Sequence, residues 1–527
     1  MMISLDIFPQ TAPFNIAIEP LNIAGVGGLQ SYAFGQHDGK WLIIGGRLDG
    51  LHQRQPFASF DITGHNTQLF VIDPVGMQSW TAPLTSLSTA LQEQLQSTNM
   101  EFYQRGDFLY IVGGYGYSGT LDDHTTYDKL IAIDVPSAIS SIISNTSLTA
   151  CFRQISDPVF QVTGGRLEQI NNTFYLVGGQ KFIGRYNPQG PSHGPGFTQE
   201  YTNQIRRFTM TDDGTNMTIT HLPAITDTIN LHRRDYNVSP QIMPNGQEGL
   251  TAFSGVFQTI ADLPFLNCVN IDSQVHQVNN AFTQYYNHYH CAHLPVYSAT
   301  QNEMHTLFFG GIAQYYDSAG ILVQDDNVPF VKTIARVTRN SAGIMAEYKL
   351  PVAMPAFLGA GAEFIPIEAI PAYPNGVVKL DSLTADTTLV GYIYGGISST
   401  APNVFWINDG SQSSASSQLF KVFLIKNGAI GIHELNEHST GTLKLTVYPN
   451  PNSGNFTVKY QLTQPCDARL TLRSMDGRIL EDTLLTHRPA GLNTFRKNIR
   501  EVTNGGTFLL ILETPYEKAV QKIIVED

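Results

Sequence analysis

Phe108-Leu109-Tyr110-Ile111-Val112-Gly113-Gly114 is an apolar strand closed by a glycine pair, and the pattern returns along the whole chain. It recurs at Trp41 to Gly46, Thr173 to Gly179, His305 to Gly311 and Leu389 to Gly396, and in reduced form, ending Ser254-Gly255, at Leu250 to Gly255. Before each run stands another apolar stretch and a short polar turn. Glu101-Phe102-Tyr103 leads through Gln104-Arg105-Gly106-Asp107 into Phe108, and Ser31 to Phe34 leads through His37-Asp38-Gly39-Lys40 into Trp41. Gly, Asn and Asp tolerate positive φ, so these turns join antiparallel strands. A third strand and often a fourth follow each glycine pair: Leu69 to Asp73 with Trp80, Ile205 to Phe208 with Met217 to Ile219, Thr333 to Val337 with Met345 to Leu350, and Leu419 to Ile425 with Ile430 to Leu435. Four strands per unit, repeated six times, give an all-β chain of propeller blades. The glycines serve strand packing and turn geometry, since no helix follows them to make a phosphate cradle.

A chain of 527 residues exceeds one ordinary domain, so two units of unequal size are expected. The net charge is −13 and no Lys/Arg cluster occurs, whereas a nucleic-acid surface needs clustered positive charge. Nucleic acid is therefore not expected as a partner. No apolar run reaches the roughly 18 residues of a membrane span. Met1-Met2-Ile3-Ser4-Leu5-Asp6 lacks a basic segment followed by an apolar one, which leaves a cytoplasmic protein or one whose leader has been removed. Cys151, Cys268, Cys291 and Cys466 include no Cys-x-x-Cys, and Cys268 with Cys291 is the pair to test for a disulfide.

The strand ending in Gly-Gly, followed by Asp73-Pro74 and Trp80, resembles a Kelch repeat, and the likeness extends over about residues 15–437. Only the first unit keeps that Trp, and the fourth has lost one glycine. The resemblance implies a six-bladed Kelch-like propeller, with seven blades as the alternative. Phe14 to Pro20 resembles an outermost strand that would close the ring on the last blade, competing there with Ile430 to Leu435.

With strands a to d counted from the axis, the a-b and c-d turns share one face of the disc and the b-c and d-a connections share the other. The a-b and c-d turns read as short and polar, apart from an insertion at Ile365 to Thr388. The b-c loops are mostly long and carry Arg47, Phe57, Tyr115, Tyr117, Arg185, Tyr186, His193, Tyr315, Tyr316 and Trp406. Rings beside arginines and polar groups suit a glycan, whose C–H faces stack on aromatics, and equally suit a protein partner or a self-packed loop core. The d-a segment Tyr285 to His293 adds His288 and His290, which would share one side of an extended chain. With His293 or Cys291 they are the weak candidates for a metal ion, although the spacing matches no known zinc motif. No cofactor is expected otherwise. Arg105-Gly106-Asp107 matches an adhesion tripeptide but sits where a hairpin wants Gly and Asp. Asp122-Asp123-His124 and Asp325-Asp326-Asn327 lack the ligand spacing of a calcium loop. No nucleophile elbow, Walker loop or His-Glu-x-x-His occurs, so no catalytic residue is assigned.

Beyond His438 the pattern changes to seven short strands with close turn signals, an Ig-like β-sandwich in outline. The domains expected are 1–437, a linker at 438–443 and a sandwich at 444–527. Tyr448-Pro449-Asn450-Pro451-Asn452-Ser453-Gly454, then Asp476-Gly477-Arg478, Gly505-Gly506-Thr507-Phe508 and Lys522-Ile523-Ile524-Val525, resemble in order the type A C-terminal sorting domain of type IX secretion cargo in Bacteroidetes. The resemblance implies a removed signal peptide, passage through the periplasm, engagement of the type IX machinery, and a secreted or outer-membrane surface location. It also implies the sorting motif Tyr448, Pro449, Asn450, Pro451, Gly454, Gly506 and Lys522. A glycan- or protein-binding propeller is the leading expectation. A carbohydrate-active enzyme, for example a metal-dependent oxidase, and a structural adhesin component are the alternatives.

Overall fold

The computed structural model describes residues 13–55, 58–187, 197–318, 320–426, 443–474, 479–499, 505–514 and 518–525. The chain divides into two compact units, Met1–Lys426 and Asn427–Asp527. Most of the expected linker, and Ile430 to Leu435, lie outside the described residues. The first unit is an all-β propeller in which, among the described residues, six antiparallel sheets follow one another along the chain. The first consists of Ala33–His37, Lys40–Ile44, Gln68–Asp73 and Gln78–Pro83. The sixth is completed out of sequence: Ala362–Pro366, Thr387–Gly395 and Leu419–Lys426 are joined by the N-terminal strand Phe14–Leu21. That strand pairs along its whole length, from Phe14 opposite Lys426 to Leu21 opposite Leu419.

The glycine pairs join each sheet to the next. In every unit the N–H of the second glycine donates to a carbonyl in the connection leading into the following sheet. The bonds are Gly46 to Ser97, Gly114 to Val162, Gly179 to Arg233, Gly255 to His288, Gly311 to Leu358 and Gly396 to Leu29, all between 2.8 and 3.2 Å. The last returns from the sixth sheet to the first. The accepting carbonyl also explains the first glycine: a Cβ on Gly113 would stand 1.9 Å from the Val162 oxygen. Where Ser254 replaces the first glycine, the corresponding bond is the longest, 3.2 Å.

A second closed set lies at the axis. The N–H of Asn99 donates to Ser31 O, Gly164 to Asn99, Asp235 to Gly164, His290 to Asp235, Gly361 to His290, and Ser31 to Gly361, at 2.7 to 3.2 Å. Each sheet contributes one residue just before its inner strand. Six apolar clusters fill the spaces between successive sheets. Leu109 and Ile111 pack toward Leu42 and Val71 of the first sheet, while Tyr110 and Val112 pack toward Phe174 and Leu176 of the third. The strand is thus buried on both faces, which is why its apolar run does not alternate with polar residues. Trp41 and Ile43 meet Tyr392 and Tyr394 in the cluster between the sixth sheet and the first.

The turn face departs from expectation in one place. The second sheet's c-d connection is not a short turn but holds a helix, Val135–Ser144, capped by the Asp134 carboxylate on Ser137 N at 3.0 Å. The Ile365 to Thr388 insertion supplies a two-residue strand, Val378–Lys379, that runs parallel to the fifth sheet's inner strand. The expected disulfide does not form: Cys268 and Cys291 are both free and buried. Cys268 Sγ lies 3.7 Å from Met345 Sδ, and Cys291 Sγ accepts from Asn237 at 3.6 Å.

The second unit is a two-sheet sandwich. One sheet has Thr446–Tyr448, Asn455–Leu462 and Gly491–Asn498, and the other Ile479–Arg488, Cys466–Ser474, Gly506–Glu513 and Lys518–Val525. Val458, Tyr460, Leu470, Leu472, Leu510 and Ile523 form its core. The Pro-Asn-Pro-Asn segment is stitched to the last strand. Asn450 donates to Lys522 O at 2.6 Å and accepts from Ile524 N at 2.8 Å, and Asn452 N donates to Ile524 O at 2.9 Å. Asn452 also accepts from Gly454 N, so the Pro-Asn-Pro-Asn turn and the last strand are one hydrogen-bonded unit.

Gly113 has a φ of +64° in addition to the carbonyl behind it. Gly113→Ala is expected to lower the unfolding free energy by about 2–5 kcal/mol. Gly106, in the Arg105-Gly106-Asp107 turn, has a φ of +59° but nothing within 4 Å of an added carbon, so Gly106→Ala should cost about 1 kcal/mol. Urea unfolding of both variants measures the difference, and equal losses would contradict the role given to Val162 O.

Candidate ligand-binding face

The long b-c loops are built structures rather than bare connections. After the glycine pair the chain pairs back on the residue before its own inner strand, Arg47 with Gln30, Tyr115 with Thr98 and Gln180 with Thr163. It then forms a hairpin in four of the units: Tyr115–Ser118 with Asp123–Thr126, Gln180–Ile183 with Thr198–Tyr201, Tyr315–Ser318 with Ile321–Gln324, and Ile397–Ser399 with Ser413–Ala415. The first two hairpins join into one four-stranded sheet through Ile183 and Thr125.

Four of the residues expected on this face meet in one cluster. The Phe60 ring has the Arg47 guanidinium 5.4 Å from its centroid and the rings of Tyr115, His52 and Tyr186 at 5.2, 5.6 and 6.1 Å. Arg47 is 3% exposed, bidentate on Asp49, and donates to Asp61 O at 2.8 Å. Arg185 donates to Ser59 O at 2.8 Å and to the Asp61 carboxylate at 3.2 Å. The Tyr115 hydroxyl donates to Gly184 O at 2.8 Å and accepts from Tyr186 N at 3.1 Å. Arg47, Tyr115, Arg185 and Tyr186 thus spend these contacts on the loops themselves, as a small aromatic core. Burial, with Arg234 and Arg47 nearby, brings His52 down to about 4, so it stays neutral.

The remaining expected residues stand apart. Tyr117 donates to Asp122 at 2.6 Å at the surface. Tyr315 donates to Gln324 at 3.1 Å and meets Tyr285 edge-on at 5.2 Å, with half-buried Tyr316 beside it on the same hairpin. Phe57 and His193 lie outside the described residues. Trp406 is 53% exposed, and the Arg54 guanidinium lies over its ring at 3.8 Å from the centroid. This pair is held by an interlock of the first and sixth loops. Asn408 donates to Leu51 O at 2.7 Å and to His52 O at 3.0 Å, and Leu51 N donates to Ser413 Oγ at 2.9 Å.

The histidine segment does not assemble a metal centre. His288 is fully buried, its Nε2 on Gln284 O at 2.9 Å and its Nδ1 accepting from Gln314 N at 3.0 Å. His290 Nε2 lies 2.8 Å from Glu363 Oε1 at the axis, and His293 stacks on Phe308 at 6.2 Å. His288 and His290 do not converge: the first is held by loop backbone groups and the second reaches the Glu363 carboxylate. Among the described residues no group of three or more His, Cys, Asp or Glu side chains is placed to hold a metal ion. Glu347 accepts from Tyr285 N at 2.5 Å and Tyr286 N at 3.2 Å, which fixes the segment's start.

The sequence reading misses the charged axis beneath the ring of backbone bonds. Arg166 donates to Glu168 at 3.3 Å and to Glu363 at 3.5 Å, and Glu101 accepts from Gly165 N at 2.7 Å. Charged residues inside otherwise apolar inner strands, as in Arg166-Leu167-Glu168, are the signal that could have found them. Burial pushes Glu101 well up and Glu168 up to about 7. Burial also raises Glu363, but Arg166 and His290 outweigh it and hold that carboxyl below the usual range. The void here, lined in part by Asn99, Arg166, Asp235 and His290, measures about 20 Å³, room for one water.

Because Glu168 holds its proton more tightly in the folded chain, its contribution to stability is full below its ordinary value of 4.5 and is lost as pH rises through about 7. Glu168→Gln is neutral throughout. It should match the parent chain near pH 4.5 and exceed it near pH 8 by about 3 kcal/mol. Urea unfolding at the two pH values checks this, and a pH-independent difference would contradict it.

Residues 446–526 match the family described as the secretion system C-terminal sorting domain. Among solved structures, a glycoside hydrolase family 43 arabinoxylan arabinofuranohydrolase from Bacillus subtilis, in complex with cellotetraose, is similar at 10% identity and a TM-score of 0.29, covering 95% of this chain and 96% of the other. Sucrose-6-phosphate hydrolase from Lactobacillus gasseri is similar at 10% identity and a TM-score of 0.24, covering 97% and 86%. No curated protein matches the chain. Among the described residues no helix is long and apolar enough to cross a membrane. The sorting domain marks this β-propeller protein for the type IX secretion machinery and for secretion to the cell surface or outer membrane.

Proposed function

We propose that the six sheets are the blades of a six-bladed Kelch-like propeller at 1–437, followed by a linker at 438–443 and the sorting domain at 444–527. The exported propeller binds a glycan or protein ligand through its long-loop face. Two closed sets of inter-sheet hydrogen bonds support the blade count, and the glycine-ended strands with Trp80 support the Kelch likeness.

The binding reading rests on Trp406. Most rings on this face are consumed by loop packing, while Trp406 is 53% exposed on two interlocked loops and carries a stacked arginine. Leu48, Ile62 and Ile407 on the same two loops are exposed as well. An exposed ring on a rigid platform is what stacking on a sugar or anchoring a partner requires.

A glycan array probed with the full chain and with Trp406→Ala tests this. The parent chain is expected to bind a defined set of glycans, and the variant to lose at least tenfold in apparent affinity with an unchanged melting temperature. Binding that survives in the variant would overturn the assignment of Trp406, and an array that stays empty would overturn the glycan reading.

A further inference from the structure

Building on the reading that the long-loop face binds a ligand, we propose that the crests of its loops form one docking surface for a protein whose contact face is apolar and basic. In the first, second, fourth, fifth and sixth units the long loop carries an exposed aliphatic side chain: Ile62, Leu121, Ile260, Ile321 and Ile407, from 52% exposed at Ile62 to 91% at Ile260. Leu121 and Ile321 stand at the tips of their hairpins. Ile260 lies in a turn closed by Gln258 N on Leu263 O at 3.0 Å, and Ile62 and Ile407 lie in single 3-10 turns. Most rings of this layer pack inward, whereas these five side chains are left outside.

Single exposed aliphatics are ordinary on a protein surface, but these are carried on one tied layer. The sixth loop holds the first through Asn408 on Leu51 O at 2.7 Å, and His124 Nε2 of the second lies 2.8 Å from Phe60 O of the first. The second and third pair through Thr125 and Ile183, and Phe257 N of the fourth donates to the Tyr201 hydroxyl of the third at 3.4 Å. Between the fifth and sixth, Asn403 donates to Asp325 at 2.8 Å and Phe330 N to Pro402 O at 2.9 Å. The crests are thereby held at fixed spacing, and little ordering opposes a partner that covers several of them at once.

The fixed charge near the crests in sequence is of one sign. No Lys or Arg lies within five residues of any of the five in sequence, and each has an aspartate within four: Asp61, Asp122, Asp262, Asp317 and Asp409. Asp61 is held by Arg185 and Asp317 by Lys349. Asp122, Asp262 and Asp409 are exposed and, among the described residues, have no cationic partner. An aliphatic side chain offers a sugar neither a flat ring nor a hydrogen bond, but it buries well against an apolar protein surface. Unpaired aspartates beside it favour a basic partner and repel anionic lipid headgroups.

Calorimetric titration of the full chain with three peptides tests the proposal: an amphipathic Leu/Lys helix, the same sequence with Glu for Lys, and the same sequence with Ser for Leu. The Leu/Lys peptide should bind about tenfold or more tightly than either control. Leu121→Ser, Ile260→Ser and Ile321→Ser combined should weaken it by about tenfold or more. Val75→Ser, Val275→Ser and Ile344→Ser, at exposed turn tips on the opposite face, should leave it unchanged, and both combinations should melt with the parent chain. Equal binding of either control peptide overturns the joint apolar and basic requirement, and equal losses in the two combinations overturn the assignment to the loop crests. A chain that ignores the peptides yet floats with vesicles of phosphatidylcholine and phosphatidylglycerol overturns the protein reading in favour of a membrane surface. If no peptide binds while glycan binding depends on Trp406, the docking surface falls and the ligand-binding face stands; if neither is seen, both fall.

Discussion

The hydrogen bond from the second glycine of each pair to the carbonyl of the next sheet is the constraint on which the propeller depends. It needs a backbone that turns sharply out of a buried strand and a first residue with no side chain where the carbonyl arrives. Gly113 and Gly114 meet both needs against Val162 O. Net stabilisation from one such bond is about 1 kcal/mol, but six of them define a cycle, and each also fixes the spacing across which two apolar faces pack. The cycle returns to the first sheet through Gly396 and Leu29, and the N-terminal strand joins the sixth sheet as its outer edge.

Function-bearing loops inherit their positions from this cycle. In the first four units the chain leaves a fixed glycine and pairs at once with the residue three positions before its own inner strand. Much of that aromatic surface is then used to make the loops rigid. Phe60, Tyr115 and Tyr186 do for the loop layer what Trp41 and Tyr392 do for the sheets below it. The half-exposed Trp406 and the arginine stacked on it stand at the edge of this packed layer. At the axis the opposite economy holds: Arg166, Glu168, Glu363 and His290 are gathered inside, where the surrounding space admits one water, and they link the inner strands of the third, fifth and sixth sheets.

Elements with local chemical causes are readable from the sequence. The glycine-ended strands, the Asn, Asp and Gly hairpin turns, the N-terminal closing strand and the seven strands of the sandwich all carry their own signals. Asn450 and Asn452 are legible as a motif, and their bonds to Lys522 and Ile524 give the physical reason that the motif's two ends occur together. The axial ring is not legible, because Ser31, Asn99, Gly164, Asp235, His290 and Gly361 share only a backbone role. Nor does composition separate a loop ring that packs inward, such as Tyr115, from one left outside, such as Trp406. That distinction depends on contacts between loops far apart in sequence. Helix Val135–Ser144 is overlooked for a different reason: Asp134 and Pro136 are ordinary start signals, but the surrounding strand pattern argues for a turn.

Amide hydrogen exchange tests the glycine cycle most directly. If the cycle holds the propeller closed, the N–H groups of Gly46, Gly114, Gly179, Gly311 and Gly396 exchange as slowly as the central strand amides of Leu109 or Leu176, although all five stand where loops begin. They also become exposed together, at the free energy of global unfolding. Exchange of these amides at the rate of an exposed turn such as Gly106, or their release one at a time by local opening, would contradict it.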